Sequence, residues 1–170
     1  MTLAAQPKSR PGVVELLGDR HDRAAFSCGN LVLDRYLKEQ ASQDLRRKCC
    51  APYVLVPAPG SAGIRRYYTL SHYGIDPGDL PPVLARKLPT LLGRPAVDQH
   101  RQKQGIGEFL LLDALRRAHD HAEEIAAMTV VVGAIHTPAA QFYAHFGFVR
   151  PPNTPNRLFL PMKDIGALFR

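Results

Sequence analysis

An α/β fold is predicted by two observations. Residues 91–122 (LLGRPAVDQHRQKQGIGEFLLLDALRRAHDHA) read as a short apolar strand, a polar turn carrying Gly105 and Gly107, and a helix with Leu111, Leu115, Ala118 and Ala122 near helical spacing. Along the rest of the chain, β-branched and aromatic runs alternate with helical ones, as in residues 128–135 (MTVVVGAI) followed by AAQFYAHFGF.

Taken in order, residues 1–12 are polar, contain Pro7 and Pro11, and are expected to form a loose lead-in. Residues 13–17 form a first strand. Residues 30–48 then place Leu33, Leu37, Ala41 and Leu45 four apart behind an Asn30 N-cap, which predicts one amphipathic helix ending at the basic triplet Arg46, Arg47 and Lys48. Strands at 53–56 and 64–73 flank the turn-rich PAPGSAG and should pair as a hairpin. Four prolines make residues 76–90 a surface connection. After the strand at 128–135, Thr137 and Pro138 read as cap and first-turn pair of a short helix. Gly147 ends that helix and Phe148 returns to the core. Residues 151–156 are another loop, and 157–162 a final strand.

Length and composition fit one domain: 170 residues, 45% hydrophobic and 22% charged, suffice for a core and are short for two. No apolar run is long enough to cross a bilayer, and the first ten residues lack the apolar middle of a secretory signal, so a soluble cytoplasmic protein is expected. Cys28, Cys49 and Cys50 are too few and too close for a disulfide framework, no Cys or His pair has zinc-ligand spacing backed by a second pair, and free buried or half-buried thiols are expected. The excess of 22 Lys+Arg over 15 Asp+Glu, +7 in all, favours a polyanionic partner: coenzyme phosphates, RNA or an acidic protein. It is spread over Arg46-Arg47-Lys48, Arg65-Arg66, Arg86-Lys87, Arg101 with Lys103, and Arg116-Arg117; most of these groups read as solvated faces, and five of them in one small domain predict at least one anion-binding face.

The glycine turn is the chemically pointed element. A helix that starts there leaves its first amide N–H groups unpaired, Gly105 and Gly107 let the backbone approach a bulky ligand, and Arg101 and Lys103 add positive charge, so a phosphate or pyrophosphate is the expected guest. No Gly-Lys-Ser/Thr follows, which excludes a P-loop, and only two of the three Rossmann glycines are present.

These strings together resemble a family. The matching residues are Phe26-x-Cys28-Gly29, Leu33-Asp34-x-Tyr36-Leu37, Tyr67-Tyr68-Thr69-Leu70-Ser71, Leu91-Leu92-Gly93-Arg94-x-Ala96-Val97-Asp98, the turn Gln102-x-x-Gly105-x-Gly107, Leu111-Leu112-Asp113-Ala114, Phe142-Tyr143, Gly147-Phe148 and Arg157-Leu158-Phe159-Leu160. Over roughly residues 15 to 165 the chain resembles the GNAT acyl-CoA N-acyltransferases, and among them the TacT and AtaT type of acetyltransferase toxin from bacterial toxin–antitoxin pairs. The resemblance implies a mixed, mostly antiparallel central sheet flanked by helices. It implies acetyl-CoA as co-substrate without a metal, aminoacyl-tRNA as acceptor, a ribbon-helix-helix-type antitoxin as partner, and a homodimer.

Site residues follow from the same resemblance. Backbone groups of Ala96, Val97 and Asp98 are expected along the pantetheine arm. The amides of Gln102, Lys103, Gln104, Gly105, Ile106, Gly107 and Glu108 would take the pyrophosphate, with Thr137 and Phe142 completing the coenzyme site. Tyr143 stands where the family keeps its catalytic tyrosine, and a phenol with pKa near 10 is protonated at neutral pH and can donate to the leaving thiolate. Arg46, Arg47, Lys48 and Arg94 are the basic residues assigned to the RNA.

No carboxylate or histidine stands out as a general base. An α-amino group, with pKa about 8, is partly free at neutral pH, whereas a lysine near 10.4 needs more help, so an aminoacyl acceptor is compatible with that silence. His72, His100 and His136 are the histidines available, and Asp98 reads as a turn or backbone-positioning residue. Three positions depart from the family pattern: Pro95 where leucine is usual, a residue that a strand accommodates at a bulge or unpaired side; Gly133 where aspartate is common; and Lys103 where glycine is common. A small-molecule or protein amine as acceptor, and a catalytically weak fold acting as a binding partner, stay open as alternatives.

Overall fold

The computed structural model describes residues 11–72, 88–101, 106–123, 127–134, 136–152 and 156–170. Most of the expected lead-in, most of the proline-rich connection before residue 88, the turn residues Gln102, Lys103, Gln104 and Gly105, Ile135 and part of the loop at 151–156 lie outside the described residues.

Six strands, β1 (Val13–Leu16), β2 (Ala51–Val56), β3 (Arg66–His72), β4 (Leu88–Val97), β5 (Ala127–Gly133) and β6 (Arg157–Pro161), lie side by side in chain order. Every neighbouring pair is antiparallel except β4 and β5, which are parallel and joined through α3 (Ile106–Asp120). This is the expected mixed sheet, and β2 with β3 forms the expected hairpin. The interior strand β5 is buried on both faces along Thr129, Val130, Val131 and Val132, which accounts for its apolar run.

Period-two alternation sends neighbouring side chains into two cores. Tyr68, Val130, Val132, Leu158 and Leu160 join Leu111 and Leu115 of α3, Tyr143 of α4 (Thr137–His145) and Ile165 of α5 (Met162–Leu168). Tyr67, Val54, Val56 and Ala96 meet Phe26, Tyr36, Leu37 and Ala41 on the other face.

Four local differences from the sequence reading have physical causes. The N-terminal helix starts as expected, with Asn30 Oδ1 accepting from the N–H groups of Val32 and Leu33 at 3.0 and 3.3 Å. It is not continuous: α1 (Leu31–Arg35) and α2 (Ala41–Arg46) are separated by a π-helical turn at Tyr36–Gln40. The wider turn lets the consecutive residues Tyr36 and Leu37 both be buried, with the Tyr36 hydroxyl donating to Asp44 at 3.0 Å and its ring stacked on Tyr67. Helix α4 begins one residue earlier than its sequence cap: His136 is the N-cap and Thr137 is already helical, because Pro138 in the first turn forfeits only an N–H that has no helical partner. Helix α5 carries no signal at seven residues with an internal glycine, and it forms because Ile165 is fully buried against the main core. Finally, Cys50 is buried and Cys28 half-buried as expected, but Cys49 is exposed.

Candidate active site

β4 outruns its parallel neighbour. The β4–β5 register closes at Leu92↔Val132, while the β4–β3 register runs on to Ala96↔Tyr67 and Val97↔Arg66. Between Gly93↔Thr69 and Ala96↔Tyr67, Arg94 and Pro95 together face the single residue Tyr68, which is a β-bulge. Arg94 takes φ +50°, and Pro95 occupies the kind of site where a missing N–H is harmless.

A cavity of about 230 Å³ opens beside this bulge. Its walls are Pro95, Ala96 and Val97 of β4, Gly107, Leu110 and Leu111 of α3, Phe142 and Tyr143 of α4, and Arg66 and Tyr68 of β3. Ile106 begins α3 and is buried, with Gly107 and Glu108 in the first turn. A Cβ on Gly107 would stand 3.7 Å from Arg66 Nη1 and 3.8 Å from Phe142 Cζ, so it would take up cavity space.

Tyr143 is held from two sides. Its ring packs against Phe142 and Phe148, with centroids 5.4 Å away in each case. Phe148 is placed by the helix end: Gly147, at φ +91°, donates to Ala144 O at 3.0 Å and Phe148 N–H donates to Tyr143 O at 3.3 Å, a Schellman closure. Burial raises the phenol's pKa above its ordinary value, so the hydroxyl keeps its proton at neutral pH.

The end of β4 is fixed by Asp98, buried at 8% exposure. Its carboxylate accepts from Ser27 N–H at 3.2 Å, His100 N–H at 3.0 Å and His100 Nδ1 at 2.9 Å, and its own N–H donates to Arg65 O. Burial works to raise this carboxyl's pKa, but the hydrogen bonds from His100 and Ser27 outweigh it and the net shift is downward. Ser27 in turn donates to Asp34, which also accepts Cys28 N–H at 2.8 Å, so β4 is tied to the start of α1. Asp98 thus holds backbone N–H groups on both sides of the strand end.

A model described as an acetyltransferase (GNAT) domain matches residues 78–150. A tRNA-acetylating toxin of Mycobacterium tuberculosis (strain ATCC 25618 / H37Rv) is 33% identical over 157 residues, 89% of this chain and 93% of the relative. The chain belongs to the GNAT acetyltransferases. Among solved structures, AtaT complexed with acetyl-methionyl-tRNAfMet is similar with TM-score 0.80 at 27% identity, covering 93% of this chain and 99% of that one. A mutant AtaT toxin bound to the C-terminus of the antitoxin AtaR and to acetyl-CoA gives TM-score 0.77 at 27% identity, covering 92% and 97%.

For a GNAT chain the cavity gathers much of what the sequence singled out: Ala96, Val97, Gly107, Phe142 and Tyr143 line it together. Thr137 is exposed at the start of α4, and Gln102, Lys103, Gln104 and Gly105 lie outside the described residues. Arg46, Arg47 and Lys48 are exposed at the end of α2. Arg94 sits over the Tyr36 ring, 3.9 Å from its centroid, and Tyr36 is bonded to Asp44 of α2. His100 and His136 are exposed, in the 3-10 turn that follows β4 and at the start of α4, and His72 ends β3. Gly133 closes the β5–β6 register opposite Arg157, and a Cβ there would stand 3.3 Å from Arg157 Nη1.

Two of the basic residues, Arg117 and Arg66, do more than face solvent. Arg117 donates to Asp113 at 2.8 Å and to Val14 O at 2.9 Å, and lies over the Tyr53 ring. Arg66 is 5% exposed in the cavity wall. Alternation along β3 was the available signal, since residues 66 and 68 must share the face opposite Tyr67. Tyr68 is tied down by its hydroxyl, which donates to Asp113 at 2.6 Å. Among the described residues no group of three or more His, Cys, Asp or Glu is arranged to hold a metal ion, and no helix is long and apolar enough to cross a membrane.

Proposed function

We propose that this chain is one catalytic domain that transfers acetyl from acetyl-CoA to the α-amino group of the aminoacyl residue on charged tRNA, and so acts as a translation-blocking toxin. The observation that carries this is the cleft beside the β4 bulge, which puts strand backbone at Ala96 and Val97, the first turn of α3 and the Tyr143 side chain around one space. The residues present fit the coenzyme: an extended arm has β4 to lie along, and the start of α3 offers amides to a pyrophosphate. The tRNA-acetylating relative and the similar AtaT complex with acetyl-methionyl-tRNAfMet support the acceptor.

Acetyl-CoA supplies the acetyl group as a thioester. The acceptor nitrogen attacks the carbonyl carbon, the C–S bond breaks, and Tyr143 gives its phenolic proton to the departing sulfur while the new amide nitrogen loses a proton to water, and solvent returns a proton to the phenolate. Arg46, Arg47, Lys48 and Arg94 are assigned to the phosphate backbone of the RNA, where basic side chains supply affinity without reading sequence. With this reading go a cytoplasmic site of action, a ribbon-helix-helix-type antitoxin and a homodimer. The similar toxin bound to the antitoxin AtaR supports an antitoxin as partner, and the exposed Val13 and Leu16 on edge strand β1 leave apolar side chains that a second copy could cover.

The test is transfer of labelled acetyl from acetyl-CoA to total charged tRNA, with deacylated tRNA as control. Label in the charged pool alone, released by mild base as N-acetyl amino acid, is expected. Unlabelled RNA from a protein that binds acetyl-CoA would move the acceptor to a small-molecule or protein amine.

A further inference from the structure

Arg66 is a cation buried without visible reason. It sits on β3 in the cavity wall, 5% exposed, and its Nε has no hydrogen-bond partner among the described residues. Desolvation is the cause of its altered titration, lowering it to about 10, and no carboxylate among the described residues offsets it. An uncompensated buried guanidinium is costly, and a fold retains one where a ligand completes it.

Its position says which ligand. Nη1 lies 3.7 Å from where a Cβ on Gly107 would stand, hence against the first turn of the 15-residue helix α3. The positive end of that helix and the guanidinium face the same apolar-walled space, an arrangement that repels itself until an anion lies between. We propose that Arg66 is a coenzyme-binding residue whose guanidinium, from the sheet side, and the first-turn amides of α3, from the helix side, clamp the pyrophosphate of acetyl-CoA. This rests on reading the cleft as the acetyl-CoA site. Arginine suits the task because its planar fork pairs two phosphate oxygens at once, which lysine cannot do.

Arg66→Met removes the charge at similar volume, and Arg66→Lys keeps the charge without the fork. Calorimetry with CoA should show binding weakened roughly 10- to 100-fold in the Met variant, the scale of one or two charge-assisted hydrogen bonds, and by less in the Lys variant. Thermal unfolding with inorganic pyrophosphate gives a second readout: pyrophosphate should raise Tm of the wild type and leave Arg66→Met unmoved, while Tm of the unliganded Met variant stays at or above wild type. A CoA affinity within about twofold of wild type in Arg66→Met, or equal pyrophosphate stabilisation of both proteins, overturns the assignment. A wild type that fails to bind CoA is a different result, which sinks the coenzyme reading itself and this clamp with it.

Discussion

Asp98 shows how one buried carboxylate can fix the end of a strand. It accepts from the backbone of Ser27 and from both the backbone and ring of His100, so an alanine there leaves three donors unmet. Asp98→Ala is expected to cost about 2 kcal/mol in urea unfolding at neutral pH. The sign of its pH dependence follows from a folded pKa that lies below the unfolded one: the contribution is complete above about pH 4 and is lost as pH falls through the depressed value. The stability gap between wild type and variant should therefore close in acid, and a gap that persists at pH 2 would contradict the assignment. Tyr143 and Phe142 were legible at this scale because they sit in a recognisable string. Arg66 was harder to see: alternation along β3 puts it on the face of Tyr68, but a basic pair in sequence gives no sign that this face borders a cavity.

At the scale of elements, the end of α4 sets the Tyr143 ring. Gly147 adopts φ +91°, a region where a side chain costs about 1–2 kcal/mol, and a Cβ there would meet only Leu160 at ordinary contact distance. Gly147→Ala should lower stability by that amount, measured by chemical unfolding, and a neutral result would show the helix end can close another way. In α3, Leu115 is fully buried, and Leu115→Ala is expected to cost about 2–5 kcal/mol by the same measurement. The strand–turn–helix and the hairpin could be read from periodicity and turn residues, and Asn30 from its capping chemistry. The π-helical turn and α5 could not, since both exist to bury particular side chains, Tyr36 with Leu37 and Ile165, against partners distant in sequence.

Across the whole molecule, a formal charge of +7 should make RNA binding strongly dependent on salt. Replacing Arg46, Arg47 and Lys48 by Gln is expected to weaken binding to all tRNAs alike and to flatten the log Kd against log salt plot by roughly 2–3, about one per lost phosphate contact. A variant with an unchanged slope would take the triplet off the RNA face. The mixed sheet could be anticipated because a family resemblance covers nearly the whole chain, but the place where β4 outruns β5, and with it the cavity, is a property of strand register that no single stretch of sequence records. The claim that joins register, cavity and chemistry is that Tyr143 donates the proton to the coenzyme sulfur. It is tested most directly by comparing wild type with Tyr143→Phe in two quantities, the acetyl-CoA Kd and the single-turnover rate of acetyl transfer. A rate lower by about 10²- to 10⁴-fold with the Kd nearly unchanged is expected. An undiminished rate, or a loss matched by an equal loss of coenzyme binding, would contradict it.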